Sequence, residues 1–317
     1  MVSSLHNSSP ETGTPKSHVG DPGYDEAEKE TYIVNKCAPS FKPLRAVMTC
    51  VALTYLLSWA WLAFLMSRSG FLSLQGIGPL IFMLVPGLCS LLCRLMFREG
   101  FRDIGWGWRN WKATLAAVWG PLIVGVSVYI ILWSTGLAPL GHGNWGISFG
   151  GSPSHMHAGY VPFYVYLIQL ATMTPIVSPF SLGEELGWRG YLLDRLVKAG
   201  IRRPVFILGL VWAVWHLPLL LTGQYIKSSH LAVSTVLFVL MILGSNSVIC
   251  RLRLLSGSIW VPVLMHSVHN VVFQYILGPT TTQNQWHTML GGDCGALTVV
   301  AYGVLAWLMW RKPRGKG

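Results

Sequence analysis

Glu184-Glu185-Leu186-Gly187-Trp188-Arg189 sets two adjacent carboxylates and a guanidinium within six residues. Only 12 of the 317 residues are acidic, and after Asp103 just Glu184, Glu185, Asp194 and Asp293 remain. Carboxylates beside apolar runs are costly unless paired or used. Glu185 and Arg189 are i,i+4 in the favourable acid-before-base order, which predicts an ion pair that steadies the helix. Glu184, about 100° round the helix, is left to point elsewhere. Two other apolar runs carry partners of the right kind. One holds Trp212-x-x-x-His216, and the other holds His266-x-x-x-Asn270. At i,i+4 each pair presents both side chains to one place. His269 falls on another face and is expected to stand apart.

Depth supports a common site. His216 lies 13 residues beyond Arg203, and His266 lies 13 beyond Arg253, each about 20 Å along a helix. Glu184 is 14 residues up from Lys198. A carboxylate, two imidazoles and an amide at one depth can deprotonate water and stabilise an oxyanion. The plainer alternatives are a capping box with Ser181 as N-cap and Glu184 at N3, and single histidines satisfied in a core. Glu184, His216 and His266 could instead ligate zinc, a set that leaves one position open.

Taken together, Glu184-Glu185-x-x-x-Arg189, Trp212-x-x-x-His216 and His266-x-x-x-Asn270 resemble the motif set of the CPBP family. This is the CAAX-protease and bacteriocin-processing group of intramembrane proteases, also called Abi. The resemblance covers about residues 160–275. One departure is Trp212, where the family often has Phe. The resemblance implies that Glu184 is the catalytic glutamate, with His216, His266 and Asn270 as partners and Glu185, Arg189 and Trp212 in support. It leaves a direct glutamate mechanism and a zinc mechanism both open. It implies an intramembrane endopeptidase, one branch of which trims prenylated CaaX proteins, with a cleft open toward the cytoplasm or inner leaflet. A catalytically inactive scaffold or immunity protein of the same fold is the alternative. A proton-coupled transporter is a weaker one, because no inverted repeat is visible.

Composition says what must position these residues. The chain is 52% hydrophobic and 11% charged, with a mean hydropathy of +0.49. Soluble domains carry about 25% charged residues, so an all-α polytopic membrane protein is expected. Apolar runs near 46–66, 77–97, 114–136, 160–183, 204–222, 231–250, 257–277 and 294–310 predict eight crossings. Counted loop by loop, alternate sides hold 21 and 2 of the 23 Lys and Arg residues. That bias predicts both termini in the cytoplasm. The plasma membrane and the endoplasmic reticulum fit equally. The net charge of +11 is a topological signal, without the basic and aromatic interleaving of a nucleic-acid surface. Lipids are therefore the expected partners and nucleic acid is not, and the family resemblance implies a peptide or prenylated protein substrate.

The predicted domains are a disordered cytoplasmic tail at 1–44, a transmembrane domain at 45–311 and a short basic tail at 312–317. From Gly159 to Gly200 is 42 residues, too long for one crossing. Pro175, Pro179 and Ser181-Leu182-Gly183 predict a break between segments near 160–176 and 182–199. Cys89 and Cys93 are expected to pack, and Asp194 and Asp293 to sit at interfaces. His142, His155 and His157 fall in an external loop. No His-Glu-x-x-His occurs. Leu290-Gly291-Gly292-Asp293 lacks the first glycine of the Gly-x-Gly-Asp motif of intramembrane aspartyl proteases.

Overall fold

The computed structural model describes residues 41–69, 73, 77–108, 110–141, 163–226 and 228–311. Most of the expected N-terminal tail, the short basic tail and His142, His155 and His157 lie outside the described residues. The chain is an all-α polytopic membrane protein. Its helices are α1 (Phe41–Met66), α2 (Gly78–Phe97), α3 (Trp111–Ser134) and α4 (Phe163–Gly187). A π-helical turn, Trp188–Leu192, carries α4 into α5 (Leu193–Lys198). Then follow α6 (Pro204–Leu221), α7 (Leu231–Ser256), α8 (Trp260–Asn270) with a π-helical continuation Val271–Leu277, α9 (Gln285–Leu290) and α10 (Ala296–Trp310). The first helix begins at Phe41, inside the stretch expected to be tail.

Among the described residues, six helices are long and apolar enough to cross a membrane. The other two expected crossings fall on shorter elements. One is α8 with its π continuation, and the other is α10. Outward faces carry Leu56, Trp119, Ile123, Ile130 and Val300, all exposed. Such apolar exposure suits a lipid solvent, where helices satisfy their own backbone groups.

The expected break between 176 and 182 does not occur. Helix α4 runs through Pro175, Pro179 and Gly183 without interruption. Membrane helices tolerate internal prolines because neighbours and local adjustments re-satisfy the freed groups. Ser181 is therefore mid-helix and not an N-cap, which removes the capping-box reading of Glu184. Gly183 and Gly187 serve contact, not bending. A Cβ on Gly183 would lie 2.7 Å from the Leu84 Cα, and one on Gly187 would lie 2.6 Å from the Pro86 Cβ. Gly87 faces back, with the Gly183 carbonyl oxygen at 2.5 Å from where its Cβ would be. This small-x-x-x-small stripe presses α4 onto α2 backbone to backbone. It fixes the height and rotation of the helix that bears Glu184 and Glu185.

Candidate active site

The π turn comes directly after the two carboxylates. Residues four apart still stack across its start, so Glu184 meets Trp188 and Glu185 meets Arg189. The two neighbours thereby point to different partners. Glu184 is 3% exposed and Glu185 is fully buried.

Glu184 Oε2 accepts two indole N–H bonds, from Trp188 Nε1 at 3.1 Å and Trp212 Nε1 at 2.8 Å. Its Oε1 takes no hydrogen bond and its carboxylate no cation partner among the described residues. Glu185 Oε1 accepts from Arg189 Nη1 at 2.8 Å and from His266 Nδ1 at 2.8 Å. The predicted Glu185–Arg189 pair is present and buried. Glu185 does more than steady its helix, however: it holds His266 directly.

His216 and His266 approach from α6 and α8, 8% and 5% exposed. The Trp212 ring lies between them, with centroids 6.0 Å from His216 and 5.5 Å from His266. His216 Nδ1 donates to the Trp212 carbonyl at 2.9 Å. With Nδ1 committed in both rings, Nε2 is the nitrogen left for other work. The charge of Glu184 acts on both imidazoles. Asn270 ends α8, half-buried, and its amide makes no hydrogen bond among the described residues. His269 turns away to the Tyr302 hydroxyl at 2.8 Å, as its face predicts.

Four supporting residues, Trp188, Asn246, Arg94 and Arg253, carry little signal in the sequence. Trp188 stands inside the opening motif, one turn beyond Glu184. Asn246, 1% exposed in mid α7, accepts from Arg189 Nη2 at 3.0 Å and donates through Nδ2 to the Val205 carbonyl at 2.7 Å. Its signal was an amide inside an apolar run, which hydropathy treats as a blemish but membranes treat as a tie. Arg189 also lies 4.4 Å over the Trp212 ring. One guanidinium thus braces both the Glu185–His266 arm and the Trp212–Glu184 arm. Arg94 Nη2 donates to the Gly190 carbonyl at 2.7 Å, and Arg253 Nε to the Arg189 carbonyl at 3.3 Å. These are carbonyls within the π turn, where regular helical bonding is displaced.

The donor types of Glu184, His216 and His266 suit zinc. Their arrangement does not: among the described residues no three His, Cys, Asp or Glu side chains are grouped closely enough to hold an ion. Cys50, Cys89 and Cys93 are buried packing residues without disulfides. A cleft of about 660 Å³ opens at the other end of α2 and α5, lined by Arg98, Glu99, Arg102, Asp103, Arg195 and Lys198. No site residue lines it. Asp194 lies beside it, bonded to Arg195 and Lys198.

Glu184 lies 14 residues from the Lys198 end of its continuous helix and His266 six residues into α8, whereas His216 lies near the far end of its own helix. His216 is five residues from the end of α6, and Tyr225 beyond that end packs edge-on against it at 5.9 Å.

Residues 161–272 match the family described as type II CAAX prenyl endopeptidase, Rce1-like. An 80-residue stretch is 31% identical to a protein named CAAX prenyl protease 2 from Methanococcus maripaludis. That stretch is 25% of this chain and 28% of the relative, so the chain matches well under a third of the relative's length. The matched region runs from α4 to the start of the π continuation of α8 and includes all seven motif residues, from Glu184 to Asn270. The motif-bearing region of the chain, Glu184 to Asn270, is thus similar to a family described as CAAX prenyl endopeptidases.

Proposed function

We propose that the protein is an intramembrane endopeptidase of the CAAX type that hydrolyses a peptide bond with Glu184 as general base. The observation that carries this reading is a buried carboxylate with no cation bonded to it among the described residues, one oxygen held by two indole N–H groups, and two imidazoles flanking one of those indoles, Trp212. Glu184 Oε1 takes a proton from water as the water oxygen bonds to the scissile carbonyl carbon. Trp188 and Trp212 keep Oε2 fixed meanwhile, so no reorganisation is needed. His216 accepts a hydrogen bond from that water through Nε2. His266, as an imidazolium whose Nδ1–H is held by Glu185, donates from Nε2 to the carbonyl oxygen as it becomes an oxyanion, and the Asn270 amide donates beside it. When the carbon–nitrogen bond breaks, Glu184 returns its proton to the leaving amine. No step is routed through a metal. The substrate we infer from the comparisons is a prenylated CaaX protein or peptide, and the site lies in the membrane where a prenyl chain partitions.

The test is cleavage of a farnesylated CaaX peptide by purified protein, beside an unprenylated control. Glu184→Gln keeps the shape and removes the base, and is expected to cost at least about 10²-fold in kcat. Activity is expected to survive exhaustive chelation. Cleavage unaffected by Glu184→Gln would sink the base assignment, and loss on chelation restored by zinc would sink the metal-free one. Failure to cleave either peptide removes the CAAX reading.

A further inference from the structure

The charge pattern leaves one carboxylate over. Six acidic side chains are described. Glu99, Asp103, Glu185 and Asp194 each pair with an arginine. Glu184 is the proposed base. Asp293 forms no ion pair with any described residue. It is nonetheless held firmly, by neutral donors alone. Oδ2 accepts from the Tyr225 hydroxyl at 3.1 Å and from Gln274 Nε2 at 3.2 Å, and Oδ1 accepts from Cys294 Sγ at 3.2 Å. These bonds come from the loop after α6, the π continuation of α8 and its own loop, so three elements aim one carboxylate.

Its place matters more than its charge. Tyr225 and Gln274 are exposed, and Asp293 is half-exposed. From this rim the path inward is short. The Tyr225 ring packs against His216 at 5.9 Å, His216 against Trp212 at 6.0 Å, and Trp212 donates to Glu184 at 2.8 Å. Gln274 stands four residues beyond Asn270 on the same continuous helix.

We propose that Asp293, one residue removed from His216 through Tyr225, is a cation subsite taking a protonated amine or guanidinium of the peptide substrate. This rests on the peptidase reading. Tyr225 and Gln274 hold Oδ2, which leaves the remaining lone pairs of the carboxylate to a charged N–H donor. The subsite selects by charge and takes no part in bond cleavage, so it acts on binding and KM more than on kcat.

The experiment compares peptides that differ at one position, Lys against norleucine, and by a free against an acetylated N-terminus. Binding is measured on the Glu184→Gln protein, where nothing is cleaved, and turnover on the otherwise unchanged protein. The cationic member of one pair is expected to bind about five-fold tighter than its neutral match, the range of a partly exposed ion pair. Asp293→Asn is expected to abolish that preference, raise KM for the cationic peptide alone, and leave kcat and the unfolding temperature unchanged. Equal binding of all four peptides, or a preference that survives Asp293→Asn, overturns the subsite. Indifference to charge with intact cleavage overturns it while sparing the peptidase reading. A charge preference lost in Asp293→Asn without any cleavage supports the subsite and overturns the peptidase.

Discussion

Replacing Asn246 by leucine tests whether a residue that touches no reacting atom governs the site. Leucine matches the branching of asparagine, so the cavity between α6 and α7 stays filled. Two bonds disappear. The one from Arg189 Nη2, at 3.0 Å, has a charged donor and is worth about 1.5–3 kcal/mol. The one to the Val205 carbonyl, at 2.7 Å, is worth about 1 kcal/mol, because that carbonyl sits within a helix and keeps other support. Burying the leucine methyls returns about 1 kcal/mol. The guanidinium cannot move to water, being 1% exposed, and its Nε already lacks a partner. A net loss of about 2 kcal/mol follows, or roughly 4–8 °C in unfolding temperature in detergent. With Arg189 released, the Glu185–His266 arm and the Trp212 stack both lose their brace. A shift of about 1 Å at His266 costs on the order of 10²-fold in kcat, with KM nearly unchanged. Asn246→Asp keeps the acceptor for Arg189 and is expected to recover most of the kcat. Kinetics and unfolding of the two variants decide it. A leucine variant with wild-type kcat, or an aspartate variant as slow as leucine, refutes the brace.

Two further outcomes concern Glu184 and the helix end. Trp188→Phe and Trp212→Phe each remove one indole N–H from Glu184 Oε2, so each is expected to lower kcat about tenfold and the pair at least about 10²-fold. A doubly substituted protein of wild-type activity would show that these bonds do not hold the base. Asp103 sits outside the spans, facing Arg94, Arg195 and Arg253, with Glu99 and Asp194 nearby. Burial would push its carboxyl up, but the bonds from Arg94 and Arg195 outweigh it and hold the carboxyl below the usual range. A carboxylate depressed on folding stabilises above its unfolded pKa of about 4 and loses that contribution as pH falls through the folded value. Unfolding temperature should therefore fall between pH 5 and pH 3, and fall less in Asp103→Asn. Equal drops in both proteins would count against this pairing.

The fold class was readable because a membrane demands long apolar helices, a signal that composition alone transmits. The meeting of α4, α6 and α8 was readable because each carries one costly polar group at similar depth. What failed was local. Pro175, Pro179 and Gly183 are helix breakers in water, and the sequence reading applied that rule. In this chain the prolines are carried by neighbouring helices, and Gly183 is there so that α2 can approach. The division of labour between Glu184 and Glu185 was half visible. Helical spacing predicts the Glu185–Arg189 pair, but not that Glu185 also holds His266, since that bond spans 81 residues. Asn246 is not legible because it is a lone amide in an apolar run, and its partners Arg189 and Val205 are 57 and 41 residues away in sequence.

The π turn at Trp188–Leu192 explains why two adjacent carboxylates can coexist within lipid. In a π turn the main chain gives up its regular bonding, and carbonyls must find other donors. Here Arg94 takes the Gly190 carbonyl and Arg253 bonds that of Arg189. Both arginines are anchored at one loop: Arg94 on the Asp103 carboxylate and Arg253 on the Asp103 carbonyl. Arg195, just past the turn, binds the same carboxylate. The arginines that read in the sequence as a topological signal therefore also act as donors to the helix that carries the carboxylates. The charges of Arg94 and Arg195 are spent on Asp103, Glu99 and Asp194, and Arg253 bonds carbonyls, so they hold the turn without neutralising Glu184. Arg189 in turn is committed to Glu185. Among the described residues no arginine or lysine bonds Glu184, which keeps a carboxylate whose bonded partners are neutral indole N–H groups. That is the condition a general base in a dry site requires.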